Sequence, residues 1–323
     1  MMLIVPTFIG ISLITFLVIQ LAPGSPVYLK LRKGESALAS DTVSQQIIEQ
    51  TKKLYGLDKP IHVRYILWVG KLIRLDFGSS YKDQRPVRDK ILETIPVTLQ
   101  IEIIVVFLVY LISIPVGVYS ATHQRSWTDY AITVVLFILY SLPSFWVAML
   151  LILFLGGGQF WNWFPINGLN SFGAQTYPWY AWLADRLWHL ALPVFCLTYG
   201  GLAGLSRYAR AGMIEVIRQD YIRTARAKGL SQQAVLYKHA LRNAALPFVT
   251  ILGLDIPFLL GGALVTESVY AWPGMGRLFW EYAQRGDYPV VLGVLLIVSV
   301  AVVFFSIVTD IIYTFVDPRI RLS

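Results

Sequence analysis

Long apolar runs alternate with polar connections along almost the whole chain. Six of the runs are long enough to cross a hydrocarbon core of roughly 30 Å, which takes about 20 helical residues. They cover positions 3–21, 99–120, 130–155, 187–206, 244–266 and 290–315. This pattern predicts an all-α integral membrane protein in which residues 1–323 form a single transmembrane domain.

The first of two long polar segments, residues 24–96, lies between the first and second runs. Its periodicity predicts helices over 43–55 and 62–75, the latter with Tyr65 and Trp68 among its apolar positions. A polar segment with its own helical pattern is expected to fold. We therefore predict a small folded segment outside the membrane spans.

The second long polar segment, residues 207–243, lies between the fourth and fifth runs and is strongly basic. It contains eight Lys or Arg residues and two acidic residues, and its pattern is helical. One helix is expected to end near Lys228 with Gly229 as its C-cap, and Ser231 is expected to N-cap a second helix over 232–243. Two helices that meet at a glycine form a knuckle suited to binding a soluble partner. The alternative is a solvated loop that only fixes the topology.

The basic residues of the short loops predict the orientation, because cytoplasmic loops carry an excess of Lys and Arg. The side of 207–243 also holds Arg125, Arg319 and Arg321, whereas the opposite short loops hold Arg186, Arg277 and Arg285. The loop and both termini are therefore predicted to be cytoplasmic. Residues 24–96 carry thirteen basic and eight acidic residues, and this excess of basic residues favours the opposite orientation in the membrane. That loop has 73 residues, however, and loop charge controls topology only up to roughly 60.

Composition agrees with a membrane protein and excludes several other classes. Hydrophobic residues make up 56% of the chain and charged residues 14%, against about 25% charged in soluble domains. The net charge of +8 lies outside the apolar runs and the aromatics lie in or beside them, so nucleic-acid binding is not expected. The single cysteine, Cys196, falls inside a run and is expected to be a packing residue.

Candidate catalytic and cofactor chemistry is sparse. The sequence contains no G-x-x-x-x-G-K-[ST] phosphate loop, so the chain is not expected to bind ATP itself. The four histidines are scattered and do not form a metal-ligand motif. We therefore expect neither an enzyme active site nor a metal site in this chain.

Three acidic residues fall inside the apolar runs, where a charge costs roughly 2.5–3.5 kcal/mol at a helix centre. Glu102 lies within a turn of the outer end of its run, so it either reaches water or borders a substrate pathway. Asp310 lies near the inner end of its run and is expected to be structural. Asp255 lies near the middle of the membrane. It either faces a water-filled pathway or pairs with a polar group on another helix.

Several sequence blocks together resemble a known family. They are QLAPGSP at 20–26, YGLDKP at 55–60, LDFGSSY at 75–81, DYIRTARAKGLS at 220–231, ESVYAWPGMG at 267–276, RGDYP at 285–289 and DPR at 317–319. In this order they resemble the inner-membrane permease subunits of bacterial dipeptide/oligopeptide ABC importers. The subtype resembled is the permease of the pair with the long first external loop.

The basic loop departs from the general importer motif, which begins EAA and ends I-x-L-P. The residues at 223–225 are Arg-Thr-Ala, and Leu246-Pro247 falls 18 residues after Gly229. This lengthened form resembles the peptide-importer branch rather than the sugar importers.

The resemblance implies a type I ABC importer permease with six transmembrane helices, forming half of a heterodimeric pore in the bacterial cytoplasmic (inner) membrane. The implied partners are a second homologous permease, cytoplasmic ATPase subunits, an extracytoplasmic substrate-binding protein and a peptide substrate. ATP and magnesium would be bound by the ATPase subunits, and no cofactor by this chain. ATPase coupling is assigned to the loop residues Ala225, Ala227, Lys228, Gly229, Leu230 and Ser231.

Two other functions are compatible with the pattern of runs and charges. A proton-coupled secondary transporter would use a carboxylate such as Asp255 and would need no ATPase. A membrane-anchored structural or receptor protein would carry no flux in any assembly. Within the resembled family the substrate stays open, because dipeptides, longer peptides, metal chelates and peptide antibiotics pass through similar permeases.

Overall fold

A computed structural model describes residues 4–21, 59–157 and 160–316 of the chain. These residues are mostly helical, and the only bridge of the β type among them joins Ser79 and Pro86. The all-α class predicted from the apolar runs is confirmed. The helix predicted over 43–55 lies outside the described residues.

The helices have the following bounds within the described residues. The α-helices are α1 (Ile4–Leu21), α2 (Ile61–Ile73), α3 (Val87–Thr122), α4 (Trp127–Ser141), α5 (Ser144–Leu151), α6 (Trp179–Ile217), α7 (Asp220–Ala227), α8 (Leu241–Ala244), α9 (Leu246–Asp255), α10 (Leu264–Val269), α11 (Met275–Gln284) and α12 (Tyr288–Val316). Two segments are π-helical, Ile152–Gly156 and Ala234–Ala240, and two are 3-10 helices, Ala174–Thr176 and Ile256–Leu260.

Three of the described helices, α3, α6 and α12, are individually long and apolar enough to cross a membrane. The pair formed by α4 and the segment from Ser144 to Gly156 makes a fourth candidate span, bent by 90° at its break. α1 corresponds to the first predicted run. The third and fifth runs differ from the other four because each is divided into several helical segments.

The break in the third run comes from a proline. α4 ends at Ser141, and Pro143 is the N-cap of α5. A proline disfavours helical backbone in the preceding residue, and Leu142 is accordingly extended, with φ −85° and ψ 124°. The span predicted over 130–155 is therefore not one straight helix. Two helices meeting at a sharp bend replace it.

The run predicted as a span over 244–266 is likewise not one helix. α9 ends at Asp255, and the chain continues as a 3-10 helix through Pro257 to Leu260. Gly262 then adopts a φ of +74°, which a right-handed helix does not contain. A proline that removes a helical hydrogen bond and a glycine in the left-handed region thus divide the run.

The chain divides into two compact units, one made of Met1–Ile95 and Leu278–Val303, the other of Pro96–Arg277 and Phe304–Ser323. In the first unit α1 contacts α2 through aromatic side chains. The ring of Phe16 lies 5.3 Å from that of Tyr65 and 5.6 Å from that of Trp68. Tyr65 also shares a 2.8 Å hydrogen bond with Ser12.

The second unit is organised around α6, which packs against α4, α5, α8, α9 and α10. Its largest apolar cluster includes Ile101, Leu192, Cys196, Tyr270 and Trp272, all buried. The Cys196 sulfur lies 3.5 Å from the Tyr270 hydroxyl. The expected packing role of the single cysteine is confirmed.

Candidate coupling surface and associated polar sites

Helix α7 has one buried face and one exposed face. Ile222 is fully buried and Ala225 is 6% exposed, and their spacing of three residues places them on the same side of the helix. Arg223 and Arg226 are exposed. α7 therefore rests on the chain through its apolar side and presents basic side chains to solvent.

A Schellman motif at Gly229 closes the C-terminus of α7. The N–H of Gly229 donates to the carbonyl of Arg226 over 3.0 Å. The N–H of Leu230 donates to the carbonyl of Ala225 over 3.4 Å. Gly229 has a φ of +75°, and a Cβ added there would meet no atom within 4 Å. Glycine is therefore favoured at position 229 by its backbone conformation and not by a lack of space for a side chain. The predicted C-cap is confirmed.

Ser231 begins the next helical segment, as predicted. Its Oγ accepts a hydrogen bond from the N–H of Ala234 over 3.3 Å. The helix predicted over 232–243 is present, but residues 234–240 within it form a π-helix instead of an α-helix. Val235 and Ala240 are both buried although they are five residues apart, a spacing that matches the i→i+5 bonding of a π-helix.

One apolar cluster holds α7 and the π-helix on the body of the chain. It consists of the buried residues Val118, Ala121, Met213, Ile222, Ala225, Val235, Ala240 and Ala244. Val118 and Ala121 belong to α3, and Met213 belongs to α6. The expectation that Ala225 approaches a partner surface is wrong, because its methyl group packs in this internal cluster.

The other predicted coupling residues form an exposed tip. Ala227, Lys228, Gly229, Leu230 and Ser231 are all exposed, and Leu230 is 43% exposed despite its apolar side chain. We call these five residues the coupling tip.

Two exposed aromatic residues flank the tip in sequence and were missed from the sequence alone. Tyr221 is 44% exposed and Tyr237 is 54% exposed. Aromatic side chains are enriched in protein interfaces. The signal that could have found them is their position among polar residues of amphipathic segments.

An ion pair connects the start of α4 with α6 and was also missed. Arg210 Nε and one terminal nitrogen donate to the two carboxylate oxygens of Asp129 over 3.1 and 2.9 Å. Asp129 is 3% exposed, and it also accepts from the hydroxyl of Ser120 and from the N–H of Arg125. A two-point Arg–carboxylate pair fixes orientation as well as distance. The feature of the sequence that could have indicated this pair is the position of Asp129, an acidic residue directly before the apolar run 130–155.

The structure does not bring together the acidic residues predicted to border a pathway. Glu102 is half-buried on α3, and Asp255 is exposed at the last residue of α9. Neither carboxylate makes a hydrogen bond or ion pair with any residue that the structure describes. Asp255 lies where α9 passes into the 3-10 helix. The side chain of Asp310 lies outside what the structure describes.

Glu267, in the block ESVYAWPGMG, is a buried carboxylate whose individual role was not predicted from the sequence. It is 2% exposed, and it accepts hydrogen bonds from the N–H of Arg277 over 3.0 Å and from Thr98 Oγ1 over 2.9 Å. Thr98 in turn accepts from the N–H of Met275 over 2.8 Å. Glu267 and Thr98 thus satisfy free N–H groups in the first turn of α11. A Cβ added at Gly274 would overlap the Glu267 carboxylate, which explains this glycine.

In the first unit, two blocks quoted from the sequence form one contact. Ser80 from 75–81 donates to Asp287 Oδ2 from 285–289 over 2.6 Å. The N–H of Lys82 donates to the same oxygen over 3.0 Å. Asp287 is 2% exposed.

A lysine beside this contact connects the same two parts of the chain. Lys90 Nζ donates to Asp83 and to the hydroxyl of Tyr282, the latter over 2.8 Å. Desolvation would raise the pKa of Asp83, but hydrogen bonds from the Lys90 ammonium and the Arg85 N–H outweigh it and lower the pKa to about 2. Asp83 is therefore ionised at every pH at which the protein would be used, and its pairing with Lys90 is maintained.

Residues 113–322 match the family described as "Binding-protein-dependent transport system inner membrane component". The chain belongs to this family. It is accordingly a permease subunit of an ABC transport system and a multi-pass membrane protein. The recognition of an ABC importer permease from the sequence blocks is confirmed.

Curated relatives cover nearly the whole chain. The oligopeptide transport system permease protein AppB of Bacillus subtilis is 40% identical over 98% of this chain and 96% of its own length. The dipeptide transport system permease protein DppB of Escherichia coli K12 is 36% identical over 99% and 96%. The peptidoglycan transport system permease protein YejB of Agrobacterium fabrum is 34% identical over 98% and 95%.

A solved structure agrees with the fold. The methionine ABC transporter MetNI, in an inward-facing conformation, matches 70% of this chain and 95% of its own chain with a TM-score of 0.54 at 19% identity. At this identity the likeness concerns the fold alone. It confirms the predicted permease class of fold.

Proposed function

We propose that the chain forms one half of the translocation pore of an ATP-driven importer that carries peptides across the cytoplasmic membrane. The observation that carries the proposal is similarity along the whole chain to permeases named for oligopeptides and dipeptides. A further relative, from Pseudomonas aeruginosa, is named for di- and tripeptides. All of these names refer to peptides, so we propose peptides as the class of substrate and do not specify their length. A proton-coupled transporter has no support among the comparisons.

The assembly that we propose contains a second homologous permease, separate cytoplasmic ATPase subunits and an extracytoplasmic binding protein. Magnesium and ATP would bind to the ATPase subunits, so nucleotide chemistry would take place outside this chain. The loop that carries the coupling tip would be cytoplasmic, as would both termini. The excess of basic residues in the short loops on that side supports this orientation.

The coupling tip is our proposed contact with an ATPase subunit. Leu230 is apolar and 43% exposed at the end of a basic helix, so a groove on the partner could enclose it. Full enclosure of a leucine side chain contributes roughly 1.5–3 kcal/mol. Lys228 would lie beside it and contribute charge complementarity at the rim.

The base of the tip suits the transmission of movement. Ile222 and Ala225 pack in one cluster with residues of α3 and α6. The Arg210–Asp129 pair connects α6 to the start of α4. Packed elements move as bodies between discrete arrangements. Displacement of the tip by a closing ATPase would therefore displace the adjoining ends of α3, α4 and α6 together.

We assign Asp255, and with it Glu102, to the border of the substrate pathway. Asp255 is exposed at a break in the helix of a predicted span, and ionisable groups at such positions tend to serve transport. A peptide brings an ammonium group that a carboxylate can attract. Glu102 is half-buried and without a described partner, which agrees with contact to water or substrate.

The proposed function is tested by reconstitution. This chain is placed in liposomes with the second permease and the ATPase subunits, and uptake of a labelled peptide is measured after adding the binding protein. We expect uptake to require ATP on the side of the membrane where the ATPase subunits lie. Collapse of the proton gradient should not affect it. Uptake by this chain alone, driven by a proton gradient, would overturn the proposal.

A further inference from the structure

A cavity of about 320 Å³ lies between α3, α4 and α6 in the second unit. Its volume is within the roughly 300–1,000 Å³ of ligand sites in proteins. Its lining on α6 extends from Ala203 to Arg210, and on α4 from Ile132 to Tyr140. At 1.5 Å per helical residue these stretches are about 10 and 12 Å long. These lengths are comparable with the depth of the hydrocarbon layer of one leaflet, which is about 15 Å.

The two ends of the cavity differ in chemistry. Arg207, Arg210 and Ser120 line the end nearer to the basic loop, whereas Phe137 and Tyr140 line the end nearer to the bend after α4. A ligand that fits both ends has an anionic head and an apolar body. A phospholipid with an anionic headgroup has this form.

Arg207 is the charge available to such a headgroup. Arg210 already donates two hydrogen bonds to Asp129. Arg207 is exposed, and it makes no hydrogen bond or ion pair with the part of the chain that the structure describes. Basic pockets between transmembrane helices on the cytoplasmic side are typical sites for anionic lipid headgroups.

The hydroxyl of Ser206 is a second, independent indication of a ligand. Ser206 lines the cavity, is 3% exposed, and its Oγ has no hydrogen-bond partner among the described residues. A buried hydroxyl without a partner is costly, so native proteins rarely leave one unsatisfied. A phosphate or ester oxygen of a lipid beside Arg207 would accept its hydrogen bond.

We propose that this cavity binds one anionic phospholipid of the cytoplasmic leaflet, with its phosphate at Arg207 and Ser206 and an acyl chain along Phe137 and Tyr140. The choice of leaflet depends on the orientation given under the proposed function, whereas the binding itself does not. A lipid held between α3, α4 and α6 would occupy the same helix ends that the coupling tip is proposed to move.

The test measures lipid retention on the purified complete transporter by native mass spectrometry. Phosphatidylglycerol and phosphatidylcholine with identical acyl chains are added separately. We expect tighter retention of phosphatidylglycerol on the chain. Arg207→Gln should weaken that retention by about five-fold, the effect of one basic residue near an anionic lipid. Arg242→Gln is the matched control, because Arg242 is also exposed in the basic loop but does not line the cavity.

Further variants distinguish the lipid from other occupants. Ala203→Phe fills the cavity and should displace either lipid, and Ser206→Ala should weaken retention of both, because both carry the phosphate and ester oxygens that would accept its hydrogen bond. Equal retention of the two lipids, or equal effects of Arg207→Gln and Arg242→Gln, would overturn the proposal. Displacement of the lipid by inorganic phosphate would show a simple anion site instead. Disulfide formation between Ala203→Cys, which is buried in the cavity, and a cysteine placed on the second permease would show that a helix of that subunit fills the cavity. Either result would also overturn it, and neither depends on whether peptides are transported.

Discussion

The hydroxyl of Ser80 donates a hydrogen bond to Asp287 Oδ2 over 2.6 Å, and these residues are 207 positions apart in the chain. The contact joins the block LDFGSSY to the block RGDYP. Asp287 is buried, and its Oδ2 receives a second bond from the N–H of Lys82. Two blocks that are separate in the sequence therefore form one structural feature of the first unit.

We expect Ser80→Ala to destabilise the chain by about 1.5–3 kcal/mol, because a buried carboxylate loses one of its charge-assisted hydrogen bonds. Asp287→Asn should have an effect in the same direction, since its amide nitrogen cannot accept the bonds that a carboxylate oxygen accepts. Ser79→Ala is the matched control, because Ser79 is the exposed neighbour of Ser80. Unfolding of the purified chain in mixed detergent micelles measures the difference. Equal stability of Ser80→Ala and Ser79→Ala would contradict the prediction.

The carboxylate of Glu267 gives a second prediction about stability. We expect Glu267→Gln to destabilise the region around α11, because the NH2 group of Gln would replace one of the two carboxylate oxygens that accept hydrogen bonds from Arg277 N–H and Thr98 Oγ1. Gly274→Ala should be at least as severe, since its methyl group would overlap the carboxylate. Hydrogen exchange of the N–H of Arg277 reports the loss directly. Gly70→Ala controls for the general effect of an added methyl group, because Gly70, like Gly274, does not have a positive φ and no atom lies within 4 Å of an added Cβ there. Unchanged protection of Arg277 in Glu267→Gln would show that the carboxylate does not stabilise this turn.

The sequence predicted the features that depend on local pattern. Apolar length predicted α1, α3, α6 and α12, and turn chemistry predicted the left-handed Gly229. Apolar length alone did not predict that the fifth run is divided, and the structure shows that its helix ends at Asp255, two residues before Pro257. Hydropathy reports how favourable it is to move the side chains of a segment from water into an apolar environment. This quantity does not distinguish one long helix from several short ones.

The missed site residues share a physical reason. Asp129 with Arg210, and Glu267 with Thr98, are contacts between residues that lie far apart in the chain. Their individual positions, at the ends of apolar runs, resemble those of ordinary interfacial charges. Ala225 shows the converse. The family resemblance assigned it to ATPase coupling, but its methyl group packs in the internal cluster beneath α7.

The pathway role of Asp255 predicts a transport defect without a folding defect. Asp255→Asn is nearly isosteric and removes only the charge. Because Asp255 is exposed and makes no bond to a described residue, we expect normal assembly and stability but reduced affinity or flux for peptides with a free N-terminal ammonium. Peptides acetylated at the N-terminus provide the control substrate and should be affected less. Unchanged affinity and flux for both substrates would remove Asp255 from the pathway.

The proposed orientation predicts opposite accessibility for two lysines. Lys228 should be cytoplasmic and Lys82 external, and both are exposed on the structure. Each is replaced by cysteine in a Cys196→Ala background, which removes the single native thiol. A membrane-impermeant thiol reagent should label Lys82→Cys in intact cells and Lys228→Cys only after lysis. The reverse pattern would invert the topology and with it the position of the coupling tip.

Gly229 separates a coupling role of the tip from a role in topology alone. Gly229→Val should release the ATPase subunits or uncouple hydrolysis from uptake, because a β-branched residue resists the φ of +75° and would redirect Leu230. Gly229→Asn is the matched control, since asparagine tolerates the left-handed region and nothing lies within 4 Å of an added Cβ. No basic residue changes in either variant, so a loop that served only topology would tolerate both. We therefore expect Val to lose ATPase binding or peptide uptake while Asn retains most of both, measured by co-purification and by ATP-driven uptake. Normal association and uptake in Gly229→Val would remove the coupling role, and a loss of similar size in Gly229→Asn would place the cause in the added side chain instead of the backbone.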